Sequence, residues 1–201
     1  MNSNYLYEYT NLLERLLSIA YHQKYSLSAV EHEISYSPYF QKIEKDHDGY
    51  SPIIDETSLI KEIFKDDNIK SMDIPSYNQC MWAAEAYLRI QGETRLTFEA
   101  IFLYMPIADI YNYFPLFHEM DFSHIINEFK RLYSERSILD LLLDKYHYSV
   151  KEISERINVP YETLYSYKQR RRDIRKINAD VAYVLSSVLK VRIETLLELS
   201  I

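Results

Sequence analysis

Six cationic side chains fall in one short stretch of this chain: Lys168, Arg170, Arg171, Arg172, Arg175 and Lys176. A run of that density suits the gripping of phosphate oxygens, because the guanidinium fork matches phosphate geometry and the lysine ammonium adds a compact charge. Directly before it stand Tyr161, Glu162, Tyr165, Ser166 and Gln169. At helical spacing Tyr161, Tyr165, Lys168 and Arg172 share one outward stripe, with Glu162, Ser166 and Gln169 beside it. These types can address the edges of nucleobases. Glutamine pairs with adenine through two hydrogen bonds, glutamate accepts from the cytosine amino group, and tyrosine hydrogen-bonds or touches a thymine methyl. The bland alternative for Tyr161 and Tyr165 is simple surface placement, since the chain carries 20 tyrosines.

Other chemistry is poorly served. His118, Glu119, Asp121 and His124 lie close in sequence, but helix-borne zinc histidines must be four residues apart, and a six-residue separation turns them about 240° from one another. They are read as surface or capping residues around a helix that starts at Asp121. Asp46, Asp48 and Gly49 lack the third ligand and the glycine position of a calcium loop, so they are read as a turn. Only two glycines occur, Gly49 and Gly92, which excludes a phosphate-cradling loop or a dinucleotide fingerprint. The single cysteine, Cys80, excludes an intrachain disulfide and a multi-cysteine zinc site, and is expected in the core of a protein from a reducing compartment. No nucleophile signature is visible. The expectation is a protein that is not an enzyme and needs no metal or cofactor.

Charge separates the chain into two parts. Overall it is −7, yet residues 145–201 hold 11 lysines and arginines against 7 acids, and residues 1–144 hold 12 against 23. The C-terminal part is thus +4 and the rest −11. A phosphate-bearing partner is expected at the first and a basic protein partner at the second.

The elements that must position the cationic run begin at Ser149. Ser149 and Glu152 have the spacing of a capping box, which satisfies two orphan donors at a helix start. Ile153 and Ile157 share a face, Asn158 suits a left-handed turn, Val159 plugs the gap, and Pro160 suits the first position of a second helix. Leu164 and Tyr167 of that helix point back toward Ile153 and Ile157. Ser137 to Tyr146 forms a preceding helix with Leu139 and Leu143 inward. Segments 179–191 and 194–199 form two following ones.

On these residues, Ser137 to Leu199 resembles the Cro/CI-like (XRE-type) helix-turn-helix domain, a five-helix, lambda-repressor-like unit. Ser154 and Asn158 stand where that family usually has alanine and glycine, Ser149 and Val150 replace a frequent glutamine, and Glu162 is an acid near the start of the helix that the resemblance makes the recognition helix. The resemblance implies double-stranded DNA as partner, the second helix of the motif in the major groove, and action as a homodimer on paired half-sites. Tyr161, Glu162, Tyr165, Ser166 and Gln169 are the base-contact candidates. Ser149, Lys168, Arg170, Arg171, Arg172, Arg175 and Lys176 are the phosphate-contact candidates.

The remainder reads as helix after helix. Leu6, Tyr9, Leu12, Leu13, Leu16, Leu17 and Ala20 mark one apolar face of a helix over 5–21, with Glu8, Glu14 and Arg15 elsewhere on the wheel. Ser28 and Glu31 have capping-box spacing for a helix through Ile34, Pro38 interrupts, and residues 44–52 read as a loop. Helices follow over 60–64, 77–90, 98–105 and 107–114. The stretch from Phe98 to Phe117 is the most apolar of the chain, and is expected mostly in the core with a partner or dimer surface where it is not. With no basic leader before an apolar run and no long apolar segment, a cytoplasmic bacterial or phage protein is expected, without membrane contact.

The expectation is therefore an all-α protein: a helical sensing, dimerisation or interaction region over 1–136, then a helix-turn-helix domain over 137–201. It would be a sequence-specific transcriptional regulator, a repressor in kind. The alternative is an antitoxin-like or counter-defence protein that binds a protein partner through its acidic region and autoregulates.

Overall fold

A computed structural model describes residues 3–45, 55–66 and 77–199. Those residues form thirteen α-helices and one 3₁₀ turn, with no strand among them. No helix among the described residues is long and apolar enough to cross a membrane.

Helix α1 (Ser3–Gln23) buries Tyr9, Leu12, Leu13, Leu16, Leu17 and Ala20, the face that its periodicity predicts. It lies along α5 (Asn78–Thr94). Glu14 departs from the expectation of a solvent-facing residue, being only 4% exposed. Its carboxylate accepts from Ser18 Oγ at 2.7 Å and from the Tyr77 N–H at 3.4 Å, so the charge sits where α5 begins.

Helix α2 (Leu27–Tyr36) starts two residues earlier than the Ser28–Glu31 spacing suggests. Its N-cap is Ser26, which makes no side-chain cap bond. Ser28 pairs with Ser26 instead, and Glu31 accepts from the Ile107 N–H at 2.6 Å, which gives the start of a later helix a partner. Pro38 opens α3 (Pro38–Lys45) rather than ending structure, as suits a residue with no N–H to lose in a first turn. Glu44 and Lys45, expected in a loop, are the last turn of α3, and Glu44 is fully buried. The rest of that loop, with Asp46, Asp48 and Gly49, lies outside the described residues.

Asp55 caps α4 (Glu56–Phe64) by accepting from the Thr57 N–H. Thr97 caps α6 (Phe98–Tyr104), a short helix that buries Phe98, Ala100, Ile101, Phe102 and Tyr104. It is followed by α7 (Ile107–Phe117), which continues through Pro115 beyond its expected end, and α8 (Ser123–Glu135). Then come α9 (Ile138–Lys145), α10 (Val150–Ile157), α11 (Tyr161–Lys168), a 3₁₀ turn (Ile174–Lys176), α12 (Ala179–Val188) and α13 (Ile193–Leu196). The last two are shorter than their sequence patterns, because left-handed residues at Lys190 and Glu198 stop them.

Helix α6 is the hub. It packs against α2, α3, α5 and α8 on one side of the chain and against α9 and α13 on the other. One cluster of buried apolar side chains consequently runs from Leu13 in α1 through Phe98 and Phe129 to Leu142, Leu164, Leu185 and Leu196. Each fully buried large apolar side chain contributes about 1.5–3 kcal/mol, so the C-terminal helices share their stabilisation with the rest.

Polar bonds lock the same seam. Arg192, beside α13, places two nitrogen-to-oxygen contacts of 2.8 and 2.9 Å on the Glu44 carboxylate, which also accepts from the Phe98 N–H at 2.6 Å. Thr97 and Thr195 share a buried hydrogen bond of 2.7 Å, and the Arg192 N–H donates to Glu99 at 3.1 Å. Burial pushes the Glu44 carboxyl up, against the opposing pull of Arg192.

Among the described residues, eight helices end at a non-glycine residue with φ between 49° and 60°: Lys24, Lys65, Arg95, His147, Asn158, Arg170, Lys190 and Glu198.

Candidate nucleic-acid interface

The capping box at Ser149 is formed in full. Ser149 Oγ accepts from the Glu152 N–H at 3.1 Å, and the Glu152 carboxylate accepts from the Ser149 N–H at 2.7 Å. Accepting leaves the Ser149 hydroxyl proton free to donate. Asn158 takes the left-handed conformation at φ 53°, ψ 45°, and ends α10. Ser154 gives the turn a second tie, its Oγ donating to the Val159 carbonyl at 2.7 Å. Pro160 sits at the N-cap of α11, one position before the first helical residue where the sequence suggests it. Val159, Leu164 and Tyr167 are buried in the cluster that holds Ile153.

The far end of α11 is pinned to α9. Ser137 Oγ donates to the Lys168 carbonyl at 2.8 Å while capping its own helix, and Lys168 Nζ lies 3.0 Å from Asp140. Asp140 is partly buried, which raises its pKa, but Arg136 and Lys168 outweigh that and hold the carboxyl below the usual carboxylate range. The orientation of α11 is therefore set by its neighbours at both ends.

The cationic run divides into committed and open members. Arg170 turns back into the molecule: its guanidinium is 3.0 Å from Tyr104 Oη, 3.2 Å from the Glu198 carboxylate and 4.4 Å above the Tyr133 ring. Lys168 is held by Asp140, as above. Arg175 pairs with Asp173 at 2.9 and 3.0 Å, although it stays largely exposed. Arg171 lies 5.8 Å over the Tyr165 ring. Among the described residues, Arg171, Arg172 and Lys176 have no carboxylate in ion-pair contact.

The base-contact candidates share the outer side of α11. Tyr161 and Tyr165 stack at 5.6 Å with planes 14° apart, and Arg171 extends that ladder. Tyr161 is 43% exposed, and Glu162 and Gln169 are exposed as well. Ser166 donates its hydroxyl proton to the Glu162 carbonyl at 2.6 Å. It can therefore only accept from a partner.

The structure thus leaves Tyr161, Tyr165, Glu162, Gln169, Arg171, Arg172 and Lys176 at least partly exposed on α11 and the segment after it, and ties Lys168 and Arg170 to internal partners. Sequence reasoning missed that division, because the partners of Arg170 lie 66 and 28 residues away. It also missed Glu198, which accepts from Tyr133 Oη, the Ile138 N–H and Arg170.

The histidine segment does not converge. His118 Nδ1 bonds the Phe114 carbonyl at 2.8 Å, whereas His124 stacks on Phe117. Helix α8 begins at Ser123 rather than Asp121, whose carboxylate accepts from the Ser123 N–H at 2.8 Å. Cys80 is buried beside Tyr111, and burial pushes its thiol up. Among the described residues no group of three or more histidine, cysteine or acidic side chains has the arrangement of a metal site.

In comparison with known proteins, no family model, no curated protein and no solved structure matches this chain.

Proposed function

We propose that the chain is a sequence-specific DNA-binding transcriptional regulator, a repressor that acts by occupying an operator. The observation that carries this reading is the exposed side of α11 and the turn after it. There Tyr161, Tyr165 and Arg171 form a stacked ladder beside Gln169, Arg172 and Lys176, on a helix pinned at both ends. In this reading α11 enters the major groove. Gln169 and Glu162 address base edges, the tyrosines meet thymine methyls or hydrogen-bond, and Arg171, Arg172, Arg175, Lys176 and Ser149 hold backbone phosphates. The Cro/CI-like resemblance supports a homodimer on two half-sites one helical turn apart, and a cytoplasmic setting suits such a regulator.

Selection of genomic DNA fragments by the purified protein, followed by footprinting, tests this. Enrichment of a palindromic site is expected. Binding that stays equal across unrelated sequences would reject sequence-specific reading.

A second reading has its own support. Residues 1–144 carry 23 acids against 12 cations, and Leu116 and Met120 are 62% and 49% exposed beside Glu119 and Asp121. An apolar spot with acidic neighbours suits a basic protein partner, as an antitoxin-like or counter-defence protein would need. Affinity capture with and without Leu116→Asp separates the two, since only partner binding responds to that change.

A further inference from the structure

Beside the cationic run, a cleft of about 330 Å³ opens at the seam between α8 and the C-terminal helices. Its walls include Tyr133, Arg172, Ile174, Arg175, Leu197 and Glu198. The volume is at the small end of the range for small-molecule pockets, roughly 300–1,000 Å³.

Most polar groups around the cleft already have partners. Glu198 accepts from three donors, at 2.7 Å from Tyr133 Oη, 3.1 Å from the Ile138 N–H and 3.2 Å from Arg170. Ser137 donates to the Lys168 carbonyl and accepts from the Asp140 N–H. Asp173 accepts from the backbone and the guanidinium of Arg175. Arg172 is different: among the described residues no carboxylate is in ion-pair contact with it. Arg175, with its side chain 61% exposed, is a second fork that needs only to turn from Asp173. Ile174 and Leu197 supply an apolar wall between them.

We propose that this cleft binds a small organic phosphate monoester, with its phosphate between Arg172 and Arg175 and its apolar body against Ile174 and Leu197. Two guanidinium forks offer more donors than a carboxylate has positions to accept, and a phosphate close to two negative charges answers two cations. Its three donors keep the Glu198 carboxylate from needing a cation of the ligand. Arg172 and Arg175 are also two of the proposed DNA phosphate contacts. An occupant therefore withdraws both, and DNA and ligand weaken each other by the same factor. That last consequence rests on the DNA reading; binding in the cleft does not.

The test uses the full chain without DNA, with phenyl phosphate and inorganic phosphate as probes at constant ionic strength. Melting temperature and titration calorimetry are both followed. Phenyl phosphate should bind saturably and more tightly than inorganic phosphate. Arg172→Ala should weaken it tenfold or more, about 1.4 kcal/mol, with Arg172→Gln as a second variant of similar effect. Arg171→Ala, outside the cleft, should leave it unchanged. No saturable binding at about 10 mM, equal loss in Arg171→Ala, or equal affinity for inorganic phosphate would each overturn the assignment. Failure of the DNA reading alone would leave these titrations as expected.

Discussion

Removing Arg192 tests how the C-terminal helices are held. Its side chain is 10% exposed and that of Glu44 is not exposed at all, with contacts of 2.8 and 2.9 Å between them. Arg192→Ala leaves a buried carboxylate whose remaining partners are neutral, and such a loss costs about 3–5 kcal/mol. For a chain of this size that is a fall of roughly 6–20 °C in Tm. The loss should depend on pH. Burial already pushes the Glu44 carboxyl up, and without Arg192 it rises further. A raised folded-state value means that the variant is most stable below the unfolded value of about 4.3 and loses stability as pH rises through the folded value, at up to 1.4 kcal/mol per unit. Glu44→Gln with Arg192→Met should recover most of the loss, since the amide oxygen still accepts from the Phe98 N–H, the fully buried charge of Glu44 is gone, and Glu99 keeps its bond from the backbone N–H of residue 192. Urea unfolding of the three proteins at pH 5 and pH 7 measures this. A loss in Arg192→Ala below about 1 kcal/mol at both pH values would refute the reasoning, because the pair would then behave as a surface ion pair.

Arg171→Ala, Arg172→Ala and Lys176→Ala should each reduce the dependence of log K for DNA on log salt by about 0.9, as seen in binding titrations, whereas Arg170→Ala should leave that slope unchanged and lower stability by roughly 2–3 kcal/mol. Ile153→Asp should unfold the C-terminal helices, since Ile153 is 1% exposed and an unpaired charge there has no partner; circular dichroism with an unaltered melting curve would contradict the packing. Asp140, held low by Arg136 and Lys168, contributes stability above its unfolded value of about 3.9 that is lost as pH falls through the lower folded one. Asp140→Asn should therefore flatten the acid limb of the stability curve, and acid titration followed by tyrosine fluorescence reads it.

Local rules made much of the chain legible before its structure. The capping box of Ser149 and Glu152, the left-handed Asn158 and the apolar face of α1 are short-range features, fixed by residues within a turn or two of one another. What stayed hidden depends on distant partners. Glu14 and Glu44 look like ordinary surface acids until Tyr77, Phe98 and Arg192 meet them across the fold. The Ser28–Glu31 spacing misled for the same reason, because Glu31 serves the start of α7 and not its own helix. The shared outer face of Tyr161 and Tyr165 was readable from helical spacing alone, while the inward turn of Arg170 required Tyr104, Tyr133 and Glu198 to be in place.

The left-handed helix ends bear on how far this protein can be stabilised. Asn158 tolerates that conformation, but the other seven stops among the described residues fall on side chains that disfavour it by about 1–2 kcal/mol each relative to the ordinary helical one, so packing of the whole molecule imposes them. Peptides cut from single helices should overrun or fray at these places. Conversely, Lys24 and Lys190, both exposed, are positions where glycine relieves the steric cost, with a net gain of roughly 0.5 kcal/mol each after its own entropy is counted. Together the two changes should raise Tm by roughly 2–4 °C without touching the core or α11, and the natural chain sits below the stability its fold permits.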